Sequence, residues 1–172
     1  MGYSRGMSFA LDTHDFADKA RGYARLATTL ESLLSGERDR IANAANTAAL
    51  LFHTLPDLNW VGFYFLAGGE LVLGPFQGKP ACVRIAVGSG VCGTAAARRV
   101  TVWVPDVHAF EGHIACDPES RSEIVVPLTA GAALLGVLDL DSPLAARFDA
   151  QDRQGIERLA AIYLASCAAP SA

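Results

Sequence analysis

The chain has 172 residues, with 14 Lys plus Arg against 18 Asp plus Glu and a formal net charge of −4. Its 51% apolar and 19% charged content excludes a disordered or fibrous chain and suits one ordinary globular domain that buries its own core. With no basic field it makes a poor nucleic-acid binder, and its longest apolar stretch, Leu159 to Ala169, is shorter than the roughly 20 residues that cross a bilayer.

The opening MGYSRGMSFALDTHD has no apolar segment of signal-peptide length and no Ser or Thr at position 6 to fit myristoylation. The expectation is a cytoplasmic protein with residues 1–14 as a tail and 15–168 as one domain; Met7 is an alternative start behind a short tag. The four cysteines, Cys82, Cys92, Cys116 and Cys167, include no CxxC pair. In a reducing compartment they are not structural disulfides, and scattered thiols of this kind usually pack as small core residues.

Asp15 to Leu34 carries Phe16, Ala20, Tyr23, Ala24, Ala27, Leu30 and Leu34 at helical spacing, with Gly36 suited to the stop. Glu37 to Leu55 predicts a second helix that ends before Pro56. The period then changes. Asn59 to Leu66 alternates as a strand, Ala67-Gly68-Gly69 is a turn, and Glu70 to Leu73 pairs back. Ala81 to Val87 reads as a strand, Thr94 to Arg99 as a short helix and Thr101 to Val104 as a strand.

Pro105 to Ser122 has little regular pattern, and a long irregular segment inside a small domain is usually functional. Glu123 to Thr129 and Ala132 to Asp141 are strands joined at Ala130-Gly131, and Phe148 to Cys167 is a closing helix with Asp149 as its cap. This order predicts an α+β domain with one largely antiparallel sheet and helices on one face.

Side chains alternate across a strand, so Val61, Phe63 and Phe65 share the core face while Trp60 and Tyr64 flank Gly62 on the other, leaving a shallow slot. Leu138 and Leu140 oppose Asp139 and Asp141 in the same way, and Ile124 and Val126 oppose Glu123. One such polar face would simply meet water. Three of them bearing Trp, Tyr and three carboxylates predict a pocket with aromatic walls, a lid loop and a preference for a cationic or zwitterionic ligand.

Cys116 sits in the irregular segment near His108 and His113, which would lower its pKa on approach; a passive thiol is the equal alternative. A zinc site drawn from Cys82, Cys92, Cys116, His108 and His113 is a minority reading, since their spacing is irregular. Gly88-Ser-Gly90-Val-Cys-Gly93 matches a dinucleotide fingerprint in outline, but no crossover helices follow to build a doubly wound sheet, so a tight turn opening a helix explains the glycines.

Five runs together are more specific: Trp60-Val-Gly-Phe-Tyr64, Gly90-Val-Cys92-Gly-Thr, Val104-Pro-Asp-Val-His108, Gly112-His-Ile-Ala-Cys116-Asp and Ser122-Glu123-Ile-Val-Val-Pro127. They closely resemble the free methionine-(R)-sulfoxide reductases, a family built on a GAF domain, from about Phe16 to Cys167. The resemblance implies a six-stranded antiparallel sheet with helices packed behind it. It implies Cys116 as the catalytic cysteine, Cys82 and Cys92 as the cysteines that resolve it, and Trp60, Tyr64, Glu123, Asp139 and Asp141 as substrate-pocket positions.

The implied substrate is free methionine (R)-sulfoxide. Cys116 would attack its sulfur, and Glu123 or Asp141 would protonate the departing oxygen. Asp139 would bind the ammonium, Trp60 would face the S-methyl and Tyr64 would fix orientation. A thioredoxin-like dithiol would recycle the enzyme, with no cofactor and no metal required. Cys167 is left to helix packing. The chief alternative is a GAF module that binds a small molecule or senses redox state without catalysis. The oligomeric state stays open, a homodimer being one expectation.

Overall fold

The computed structural model describes residues 16–110, 112 and 117–168; the expected tail 1–14, His113 and Cys116 lie outside them. Helical spacing of apolar residues produces α1 (Lys19–Leu33) and α2 (Arg40–Thr54) within the ranges predicted for them. Each opens on an aspartate. Asp18 accepts a hydrogen bond from the Arg21 N–H, and Asp39 accepts from those of Ile41 and Ala42, pairing first-turn donors that otherwise lack a partner.

The strands are β1 (Trp60–Ala67), β2 (Glu70–Gly78), β3 (Arg84–Ala86), β4 (Val102–Val104), β5 (Ser122–Ala130) and β6 (Ala133–Ser142). They form a six-stranded sheet in the order β3-β2-β1-β6-β5-β4, every neighbouring pair antiparallel. The first hairpin turns on Gly68 and Gly69, whose φ values of 62° and 87° lie where a side chain is unfavourable. β2 runs past the predicted Leu73 to Gly78. Gly74-Pro75 reads as a break, but the pairing resumes at Gly62↔Phe76 after a bulge between Gly62 and Tyr64, which leaves Pro75 off the ladder it cannot join. The strand predicted from Ala81 shrinks to Arg84–Ala86, so Ala81 and Cys82 belong to the connection between β2 and β3.

The three long helices, α1, α2 and α4 (Ala150–Cys167), pack on one face as expected. Their core includes Leu26, Leu30, Leu51, Ile156 and Leu159 against Val61, Phe63, Ile124, Leu138 and Leu140 of the sheet. Cys167 packs at its margin. Asp149 caps α4 in a reciprocal pair with Asp152. Asp152, with no exposed surface, accepts from Tyr23 Oη at 2.8 Å, Arg147 Nη1 at 2.7 Å and Lys19 Nζ at 2.6 Å, tying α1 to α4.

The short α3 (Gly90–Arg98) lies on the other face of the sheet, against β5 and β6. It begins four residues before the predicted Thr94, because propensity alone argues against helix at Gly90 and Gly93. Packing requires glycine at position 93. A side chain at Gly93 would stand 2.4 Å from the Ala86 carbonyl oxygen. Among the described residues every strand pairing is antiparallel, so no parallel βαβ unit surrounds the glycines and they serve the turn rather than a dinucleotide.

Candidate active site

The second face of the sheet carries a small core of its own, formed by Val91, Cys92, Ala95 and Ala96 of α3 with Trp60, Tyr64, Val125 and Val137. Strand register lays out the polar groups beside it. Trp60 pairs with Asp141, which pairs with Glu123 on its other side; one step along, Gly62 pairs with Asp139, which pairs with Val125. A period of two turns all these side chains to one face, so the three acids predicted to share a face do so, below α3.

Between this face, α3 and the β2–β3 connection is a cavity of about 530 Å³, its open mouth included. Its lining includes Trp60, Tyr64, Cys92, Glu123, Asp139 and Asp141. Asp139 and Glu123 are each 6% exposed, whereas Asp141 is partly open.

The aromatic wall differs from the slot expected over Gly62. The indole of Trp60 folds across that glycine: a Cβ there would lie 2.3 Å from the indole Cη2 and 2.5 Å from Phe76 Cβ. The rings of Phe76, Trp60 and Tyr64 then stack in a row, with centroids 5.4 and 5.9 Å apart. The glycine admits a ring from its own chain, which makes a continuous wall. Both polar tips are used to hold the connection above: Trp60 Nε1 donates to the Lys79 carbonyl at 3.1 Å, and Tyr64 Oη donates to the Cys82 carbonyl at 3.0 Å.

Sequence reasoning missed a clasp at the cavity's edge. Asp117, 6% exposed, accepts from Asn59 Nδ2 at 3.2 Å and from Lys79 Nζ at 3.3 Å, and Lys79 also pairs with Glu119. Asn59 Nδ2 reaches Ser120 Oγ at 3.0 Å as well. Asp117 and Ser120 line the cavity, so this clasp holds the end of the irregular segment, immediately after Cys116, against the site. No periodicity announces it; the one signal is Asp-Pro after Cys116, a turn pair.

The thiols divide. Cys92 is buried, and its S–H faces Asp139 Oδ2 at 3.2 Å and Glu123 Oε1 at 3.9 Å. Burial, with Asp139 and Glu123 alongside, pushes this thiol well up, so it is a proton donor and not a resting thiolate. Cys82 is partly buried and joins the chain to the aromatic wall through its carbonyl. Cys82, Cys92 and Cys167 are all free thiols. His108 is exposed on the single 3-10 turn Val107–Ala109 and does not line the cavity. The zinc set weighed from the sequence does not assemble among the described residues: neither Cys82 nor His108 joins Cys92 in a metal-ligand cluster.

Electrostatics follow from burial. The carboxyl of Glu123 is pushed well up by burial and then by Asp139 and Asp141. Asp141 is likewise pushed up by burial, with Asp139 and Asp117 adding to it. Burial raises Asp139 to about 7. Three carboxyls in one low-dielectric site cannot all ionise without a cation, so the site holds protons that it can give up.

The sequence and the fold are shared with known proteins. The chain matches the GAF domain family over residues 29–163. It is 53% identical over 144 residues to the free methionine-R-sulfoxide reductase of Escherichia coli (strain K12), covering 84% of this chain and 87% of that one. The free methionine-R-sulfoxide reductase of Neisseria meningitidis, solved in complex with its substrate, superposes with a TM-score of 0.87 at 46% identity, covering 92% of this chain and 95% of that one. A solved chain from Burkholderia vietnamiensis, described only as a GAF sensor protein, gives a TM-score of 0.84 at 59% identity over 87% of this chain and 98% of its own. With its antiparallel six-stranded sheet and its acid-lined cavity beneath α3, the chain belongs to the GAF-domain family of free methionine-R-sulfoxide reductases.

Proposed function

We propose that the cavity takes free L-methionine (R)-sulfoxide and that Cys116 reduces it, with residues 15–168 as the catalytic domain of a cytoplasmic enzyme. One observation carries the reading: Glu123, Asp139 and Asp141 converge beneath the stacked Trp60 and Tyr64 at the wall of one cavity. A sulfoxide amino acid needs an anionic partner for its ammonium, an apolar wall for its S-methyl and a proton for its oxygen. Asp139 meets the first need, Trp60 the second, and Glu123 or Asp141 the third, with Tyr64 fixing orientation.

Cys116 lies outside the described residues, but its chain neighbour Asp117 lines the cavity. In the step proposed, the Cys116 sulfur attacks the sulfoxide sulfur while a carboxyl donates a proton to the oxygen. The S–O bond of the sulfoxide breaks as its oxygen forms a new bond to the Cys116 sulfur, leaving Cys116 oxidised to the sulfenic acid and methionine reduced and released. The Cys82 thiol then condenses with the sulfenic acid, releasing water and forming a disulfide; Cys92 is the second candidate or a relay. A thioredoxin-like dithiol exchanges with that disulfide and restores the thiols.

The test is NADPH consumption with thioredoxin and thioredoxin reductase, offering the separate R and S sulfoxides of free methionine and the R sulfoxide within a short peptide. Turnover confined to the free R form is expected. The Burkholderia vietnamiensis relative favours a second reading, a module that binds a ligand without turning it over. Binding of the sulfoxide with no methionine formed would establish that reading.

A further inference from the structure

The buried trio under α3 has a chemistry that reduction of a sulfoxide does not call for. Cys92 Sγ, a Glu123 oxygen and an Asp139 oxygen lie within 4.8 Å of one another, all three residues buried. The sulfur stands 3.2 Å from Asp139 Oδ2 and 3.9 Å from Glu123 Oε1. Tetrahedral zinc with a thiolate at about 2.3 Å and a carboxylate at about 2.0 Å sets sulfur and oxygen about 3.5 Å apart, between those two values.

A separate observation points to a missing cation. Asp139 is 94% buried, with 6% of its surface exposed, yet its Oδ1 is enclosed without a hydrogen-bond partner among the described residues. A buried carboxylate oxygen left unmatched costs free energy that a cation in the same cavity would recover. The thiol decides which cation. Sulfur among the donors selects zinc-like metals over magnesium or calcium, which prefer oxygen alone. Three protein donors also leave a fourth position open toward the cavity.

We propose that Cys92, Glu123 and Asp139 form a binding site for a thiophilic divalent cation of the zinc class, which enters through the cavity. Binding replaces the thiol proton with a metal–sulfur bond and displaces whatever proton the two carboxyls hold; no electron changes hands. The metal occupies the acids assigned above to the substrate, so it excludes substrate, and it takes Cys92 out of disulfide exchange. The exclusion of substrate rests on the proposed function; the binding itself does not.

The test is cadmium titration of the purified full chain with three cysteines replaced (Cys82→Ser, Cys116→Ser, Cys167→Ser), so that Cys92 is its single thiol. Saturation at one cadmium per chain is expected, with an ultraviolet thiolate-to-metal band, release of at least one proton, and displacement of the cadmium by zinc. In the same background Glu123→Gln with Asp139→Asn keeps side-chain shape and is expected to weaken binding more than about tenfold. Thermal melts establish that each variant is folded. Absence of the band in a folded triple variant overturns the proposal, and so does undiminished affinity after the two acids are neutralised. Neither readout uses activity, so failure here is distinct from failure of the reductase reading. That reading adds that free methionine sulfoxide raises the apparent Kd for cadmium.

Discussion

Cys92 and its two acids share protons in a pocket where one extra charge is expensive, and most of the chemistry proposed here turns on that. Glu123 and Asp141 are both pushed up by burial, Glu123 also by Asp139 and Asp141. Either can therefore act as an acid where an ordinary carboxyl is ionised. Glu123→Gln and Asp141→Asn remove that capacity at nearly constant shape. Whichever residue is the donor should lose about 10²- to 10⁴-fold in the rate of methionine formation in a single turnover. Normal rates in both variants would remove the pair from the mechanism.

Gly62 shows how little of such a site a sequence displays. Alternation placed Trp60 and Tyr64 beside it, but the indole's fold over the glycine is a tertiary choice. A methyl at Gly62 would meet the ring at 2.3 Å. Gly62→Ala should tip Trp60 off its stack, raising KM for the sulfoxide and costing about 1–3 kcal/mol of stability by overpacking. Substrate titration and a denaturant melt check the two effects separately.

Among the elements, those with strong periodicity were legible. The stripe Tyr23, Ala27, Leu30, Leu34 predicts α1, Asp149 announces the cap of α4, and the alternation around Phe63 marks β1. α3 was legible only in its second half, since Gly90 and Gly93 disguise a helix in which Gly90 takes a φ of 61° and Gly93 answers to a contact with β3. The clasp of Asn59, Lys79 and Asp117 was not legible, because each residue stands alone in sequence and the three meet only when β1, the β2–β3 connection and the irregular segment come together. The junction of α1 and α4 was equally hidden. Asp152 there is wholly buried among Tyr23, Lys19 and Arg147. Arg147 is itself nearly enclosed, with 6% of its side chain exposed. Asp152→Ala leaves that guanidinium without its carboxylate, with only the Pro56 carbonyl still accepting from Nε, and should destabilise by about 3–5 kcal/mol in a denaturant melt. A loss below about 1 kcal/mol would show that the cluster is decorative.

For the molecule as a whole, the acid trio makes stability depend on pH in an unusual direction. Asp139 keeps its proton in the native state to about 7, whereas in the unfolded chain it loses it near about 4. Across that window the native state binds more protons than the unfolded one, so stability falls as pH rises, and Glu123 and Asp141 extend the decline. Asp149, held down to about 2 first by its hydrogen bond from Lys19, titrates below this window. The ligand-free melting temperature should therefore drop between about pH 5 and about pH 8, and Asp139→Asn should flatten the curve. A wild-type profile that rises over that range contradicts the burial argument.

The reduction proposed for this cavity rests on one thiol, Cys116. The most direct measurement mixes reduced protein with one equivalent of free methionine (R)-sulfoxide, with no external reductant, and counts methionine formed per chain. Wild type and Cys82→Ser should each yield about one methionine, with only wild type closing a disulfide, while Cys116→Ser yields none. Stoichiometric methionine from Cys116→Ser would show that another group does the reduction.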